Sequence, residues 1–144
     1  MKYFIKKAVK GIPDRSKISP IPTERGQWEF GVHKHEAKRA GLHYDLRLGD
    51  KKTEKAYSWA IRHWPKPGEK RLAIRQPDHT IPYMDWTGTI PEGYGAGEVS
   101  LTQRGKANIK ASKDKIHFKT GRENYTLVQT DGNNWLIIHH KINP

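Results

Sequence analysis

Cysteine is absent from this chain, which excludes a disulfide framework and any thiolate metal site, so a bound metal would need nitrogen and oxygen ligands. Long apolar runs are missing too. No stretch approaches the ~20 apolar residues of a membrane-spanning helix, and the start MKYFIKKAVKGIPDR has no apolar segment of signal-peptide length. The expected setting is cytoplasmic, with no membrane partner. Acids are scarce: 27 Lys and Arg face 15 Asp and Glu, a formal net charge of +12 spread along 144 residues. That balance points to a polyanionic partner, nucleic acid first. The apolar fraction is only 34%, but five Trp, six Tyr and three Phe are large enough to close a small core. The length suits one domain.

Residues 1–27 mix Lys, Pro, Ser and Gly without periodicity and read as an irregular basic arm. Residues 28–144 read as the folded domain: short runs of β-branched and aromatic residues bounded by Gly, Pro, Asp and Asn predict strands near 28–34, 43–48, 56–62, 71–76, 97–103, 106–110, 115–119, 124–130 and 134–140. GDKKTEK, QRGK and TDGNN suit hairpin turns. One short helix is expected in HKHEAKRAG, ending at Gly41. Together these features predict an all-β barrel or sandwich with short helical or irregular segments.

The stretch HKHEAKRAGLHYDLRL carries the densest chemistry. In a strand, His43, Asp45 and Arg47 share one face while Tyr44, Leu46 and Leu48 share the other. Placing an imidazole, a carboxylate and a guanidinium together is costly unless something binds there. With His35 upstream and His79 downstream in RQPDHTIPY, three imidazoles and one carboxylate could converge on manganese, iron or zinc. An iron oxygenase would use a similar set, but the 34 residues from Asp45 to His79 leave little room for its larger barrel. Arg47, Arg71 and Arg75 offer planar forks that match a phosphate. In RLAIRQ, Arg71, Ala73 and Arg75 share one face, which for Arg75 reads equally as an exposed one. His33 reads as a surface residue, and His63, His117, His139 and His140 as solvated or hydrogen-bonding. PEGYGAG is neither a P-loop nor GxGxxG and reads as a tight turn. Trp59 and Trp135 belong to apolar runs, whereas Trp64 fits either core or an exposed stacking platform.

FGVHKHEAKRAGLHYDLRL, YSWAI, KRLAIRQPDHTIPY, WTGTIPEGYGAGEV and NNWLIIHHK, in this order, resemble the 3′-phosphoesterase domain of the DNA ligase D repair system. The resemblance runs from about Phe30 to Lys141, with LHYDLRL the most specific block. It implies a compact antiparallel β-barrel with a manganese-dependent site, other divalent metals being possible. It also implies an enzyme that removes a 3′-terminal ribonucleoside by phosphodiester cleavage and then the remaining 3′-phosphate, leaving a 3′-hydroxyl. By position, His35, His43 and Asp45 match the family's metal ligands, and Arg47, Arg71, His79 and Tyr83 its phosphate-binding or catalytic residues. The implied partners are DNA or RNA-tipped DNA 3′ ends on a primer-template and a ligase or polymerase of end joining. The expected protein is a nucleoid-associated monomer.

The chain departs from the family pattern in places. His35 and His43 are eight residues apart where six is usual, with Ala40 and Gly41 expected as a bulge. Pro77 replaces an acid. Counterparts of the family's amino-terminal Arg, Asp and Glu are hard to place, the nearest being Arg15, Asp14 and Glu24. These departures raise a second expectation, a catalytically inactive nucleic-acid-binding or ligase-docking module on the same barrel.

Overall fold

A computed structural model describes residues 17–93 and 95–142. The strands are β1 (Glu24–Ala37), β2 (Gly41–Asp50), β3 (Lys55–Ile61), β4 (Lys70–His79), β5 (Gly88–Ile90), β6 (Gly97–Ser112), β7 (Lys115–Thr120), β8 (Glu123–Asp131) and β9 (Asn134–His140), with one 3₁₀ helix, Pro82–Asp85. Every pairing is antiparallel. The order β1-β2-β3-β4-β9-β8-β7-β6 closes when β6 pairs with β1, making an eight-stranded barrel, and β5 adds to the other edge of β6. Closure leaves no open edge on these eight strands.

Period-two alternation fills the barrel. Trp28, Phe30 and Val32 of β1 point inward with Leu46 and Leu48 of β2 and Tyr57, Trp59 and Ile61 of β3, all buried. Each such side chain contributes about 1.5–3 kcal/mol by leaving water. Trp59 meets Trp135 edge to face at 5.5 Å, as their apolar runs required. Trp64 is half-buried and packs against the core rather than standing out as an exposed platform, meeting Tyr125 edge to face at 5.7 Å and Tyr44 at 6.4 Å. Ile21 lies in the same core, so the expected arm contributes to the fold, and β1 begins at Glu24, inside it.

Three local expectations fail for identifiable reasons. HKHEAKRAG forms no helix: β1 continues to Ala37 because β2 and β6 pair with it on both edges to its end. Only Lys38–Ala40 form the turn. QRGK is no hairpin, since β6 runs unbroken through it, with Phe30 of β1 opposite Gly105. The Ala40–Gly41 pair is no bulge but belongs to the hairpin's turn and the first residue of β2, Gly41 having a φ of +78°. The bulges fall elsewhere, one opposite Val32 and His33 on β6, where the Thr102 hydroxyl donates to the Val32 carbonyl at 3.0 Å, and one on β4 near Pro77.

Gly97 opens β6 at a φ of +147°, and a Cβ there would sit 2.1 Å from the Glu36 carbonyl oxygen. Gly97→Ala therefore strains both the backbone angle and the β1–β6 closure. The expected loss is about 2–4 kcal/mol, measurable as a lowered urea midpoint with an unchanged m-value.

Candidate metal centre and its cleft

The outer face of the β1–β2 hairpin holds the predicted ligands. His35 pairs with His43 and His33 with Asp45 across the ladder, so one strand face brings His35, His43 and Asp45 together. Their ligand atoms all lie within 4.8 Å of one another. The Asp45 carboxylate stands between the imidazoles, 3.6 Å from His35 Nδ1 and 3.4 Å from His43 Nε2. Because antiparallel partners face each other at any even separation across a symmetric turn, eight residues between the histidines serve as well as six would.

The outward nitrogens explain what the inward ones can do. His35 Nε2 donates to the Gly95 carbonyl at 2.8 Å and His43 Nδ1 to the Gly41 carbonyl at 3.3 Å. In the neutral rings those bonds fix the tautomers and leave two nitrogen lone pairs facing a carboxylate. Three acceptors crowded together require a cation among them: a proton on an imidazole, or a metal. The donor set of two nitrogens and one oxygen suits a divalent transition metal. PEGYGAG thus acts as more than a turn, since its Gly95 carbonyl orients His35.

The electrostatics follow from the same geometry. Burial pushes the Asp45 carboxyl up, but His35, His43 and Arg47 outweigh it and hold the group well below the usual carboxylate range. Asp45, chiefly through its hydrogen bond, raises His43. His33 is a correction to the sequence reading: it is 1% exposed, and its Nε2 donates to the Trp86 carbonyl at 2.9 Å. Burial, then Arg47, lowers its pKa to about 4, so it sits neutral beside the centre.

Arg47 lines the same cleft and is 4% exposed. Its contacts are long, 3.5 Å to Ser58 Oγ and 4.0 Å to Asp45 Oδ2, and its Nε has no hydrogen-bond partner. The guanidinium lies 5.0 Å over the Tyr83 ring. A buried guanidinium so weakly satisfied has donors left for an anion.

His79 reaches the cleft by way of the β4 bulge. Strict alternation would place it on the inward face with Ala73 and Arg75, but the extra residue near Pro77 shifts the register, so Gln76 faces Ser58 and His79 faces Ala56. His79 thereby joins the cleft lining and stacks on Tyr83 at 4.3 Å and 12°. The bulge also turns Asp78 inward to meet Arg75 at 3.1 Å. Arg75 is buried, correcting the exposed reading, and its NH2 also donates to the Ser19 carbonyl at 2.8 Å.

Arg71 is not brought to the cleft. It lies on the Ala73 side of β4, bonded to Glu69 at 3.1 Å. Glu24 accepts from Trp28 Nε1 at 3.0 Å, a structural role, and Asp14 and Arg15 lie outside the described residues.

A cover the sequence did not announce completes the site. The 3₁₀ helix lays Tyr83 and the fully buried Met84 over the outer sheet face, and Tyr83 stacks in turn on Trp86 at 5.9 Å. Gly49 makes the close approach possible, since a Cβ there would lie 2.6 Å from Ile81 Cδ1 and 2.8 Å from Met84 Sδ. Gly49→Ala should therefore lift this cover, raising amide hydrogen exchange across residues 82–86 at least tenfold, about 1.4 kcal/mol, while the barrel strands keep their protection.

Comparison with known proteins bears on this arrangement. The sequence pattern of the family described as DNA Ligase D 3′-phosphoesterase domain matches residues 33–135. The chain is 41% identical over 106 residues to the Multifunctional non-homologous end joining protein LigD of Pseudomonas aeruginosa, covering 72% of this chain and 12% of that protein. It is 33% identical over 135 residues to the protein of the same name from Mycolicibacterium smegmatis, covering 81% of this chain and 17% of that one. The chain thus spans under a fifth of the length of either relative. The matched span contains the hairpin, the bulged strand and the covering turn, and the chain belongs to the DNA Ligase D 3′-phosphoesterase domain family.

Proposed function

We propose that this protein is a manganese-dependent phosphoesterase that heals DNA 3′ ends in end joining. It acts on a primer-template, first removing a 3′-terminal ribonucleoside as a phosphodiesterase and then the 3′-phosphate as a phosphomonoesterase, leaving a 3′-hydroxyl for a ligase or polymerase. One observation carries this reading: three metal-competent acceptors and an under-partnered buried guanidinium open into one cleft. The relatives' name, a multifunctional non-homologous end joining protein, supports the DNA-end substrate.

His35, His43 and Asp45 would hold the metal, which when bound supplies a Lewis acid for a phosphoryl oxygen. Arg47 binds the remaining phosphoryl oxygens and takes up the charge that grows on them as water adds to phosphorus. His79, which also lines the cleft, gives a proton to the departing oxygen: the nucleoside's 5′-oxygen in the first reaction, the DNA 3′-oxygen in the second. Tyr83 is a positioning residue, its ring packed against both Arg47 and His79. Arg71 is left out of this scheme by its place on the other face of β4.

Incubating the protein and manganese with a labelled primer-template ending in one ribonucleotide, or in a 3′-phosphate, should convert both to 3′-hydroxyl. His43→Ala and Arg47→Ala should each lower turnover at least 100-fold, about 2.7 kcal/mol. Unchanged ends with intact DNA binding would favour the inactive binding module instead.

Manganese titration followed by electron paramagnetic resonance should show one tight ion per chain, lost in Asp45→Asn and on dialysis against a chelator. Equal binding by wild type and variant would remove the metal from this site.

A further inference from the structure

Away from the cleft, the outer face of β1, β6, β7 and β8 carries two rows of polar side chains in cross-strand register. One runs Arg25, Lys110, His117, Thr126, and the next Gln27, Asn108, Lys119, Asn124. Six of these, Arg25, Asn108, Lys110, His117, Lys119 and Asn124, line one shallow depression, and all six are exposed. From Lys106 to Arg122 the chain holds six Lys or Arg and a single acid, Asp114.

The cross-strand register of its cations sets this face apart. Some cations elsewhere are answered by carboxylates, Arg104 by Glu29 and Asp85, Lys51 by Glu29, Lys52 by Glu24. Among the described residues, Arg25, Lys110 and Lys119 make no ion pair. Arg25 lies directly opposite Lys110, and like charges so placed destabilise a sheet. His117 registers the same positive field, since after burial its depressed pKa is owed to Lys115, His140 and Lys110. Thr126 Oγ1 holds His117 Nδ1 at 2.8 Å and His140 Nε2 at 2.7 Å, which fixes the rings in place.

A face that is cationic at a cost to folding is built for an anion. The rows offer lysines, an arginine and amides without an exposed aromatic anchor, and protein interfaces are depleted in lysine and centred on such anchors. Phosphodiester backbone suits these side chains, which position a duplex without reading its bases. Arg25 shares the outer face of β1 with His35, ten residues along the strand, a span of up to about 33 Å. That is about ten base pairs of duplex.

We propose that this face is a second DNA contact, gripping the phosphates of the duplex stem about one helical turn behind the 3′ end in the cleft. The choice of DNA as the polyanion rests on the phosphoesterase reading above; the existence of the anion site does not.

The test compares wild type with Lys110→Glu/Lys119→Glu and Lys110→Arg/Lys119→Arg. Fluorescence anisotropy would follow binding to primer-templates with duplexes of about 20 and about 6 base pairs over a range of salt, without divalent metal. For the longer duplex, the glutamate variant should bind at least tenfold more weakly, and its slope of log affinity against log salt should be shallower by about two. The arginine variant should match wild type. Turnover of a 3′-phosphate on the short duplex should be the same for all three.

Undiminished binding of the long duplex by the glutamate variant would overturn the proposal, and so would an equal loss on both lengths. Wild type that binds with this length dependence yet heals no ends would sink the phosphoesterase reading and leave the contact surface standing.

Discussion

In an antiparallel ladder, facing residues have positions that sum to a constant, and for β1 and β2 that register sets His35 against His43 and His33 against Asp45. Everything chemical in this protein depends on that alignment. A slip of one residue would send Asp45 into the barrel and Leu46 to the surface. The slip is resisted from inside, because the same register places Phe30 against Leu48 and Val32 against Leu46, all buried in the core. The hydrophobic interior thus holds the polar exterior in place, and the site needs no separate scaffold.

The outer face then gathers charges that folding alone would disperse. Asp45 is shared by two imidazoles and one guanidinium, while Arg47 has that distant carboxylate, a long contact to Ser58 and the face of the Tyr83 ring. Such under-satisfaction lowers stability in the free protein. It also leaves the groups preorganised for ligands, the arrangement expected where catalysis works by electrostatics. The covering 3₁₀ helix contributes Tyr83, whose ring lies against His33 and Arg47, and glycine at position 49 permits its approach.

Two irregularities give the cleft its second wall. The bulge near Pro77 reverses the facing of His79 while turning Asp78 inward to Arg75, so one extra residue serves both the cleft lining and the packing of the Ser19 segment. The second irregularity, opposite His33 on β6, is filled by the Thr102 hydroxyl. Both lie beside the site, where bulges commonly re-aim side chains. The two cationic faces of the barrel differ in kind: buried and under-partnered around Arg47, exposed and extended around Lys110.

The sequence by itself determined the all-β architecture, because alternating aromatic and β-branched runs have only a sheet face to bury. It likewise determined the His43-Asp45-Arg47 face, since strand parity is a local property. His35 was legible only through the resemblance, since the helix expected in HKHEAKRAG hid the hairpin that sets it against His43. What only tertiary structure decided were features created by pairing between distant segments. Strand β6 runs through QRGK because β1 lies along it, and HKHEAKRAG is extended because strands flank both its edges. Arg71 and His79, both expected at the site, end on different faces because a bulge changes parity between them, which no periodicity reveals. His33 is buried because residues about fifty positions later fold over it. Local chemistry fixes which side a residue faces, but contact with remote chain fixes what lies on that side.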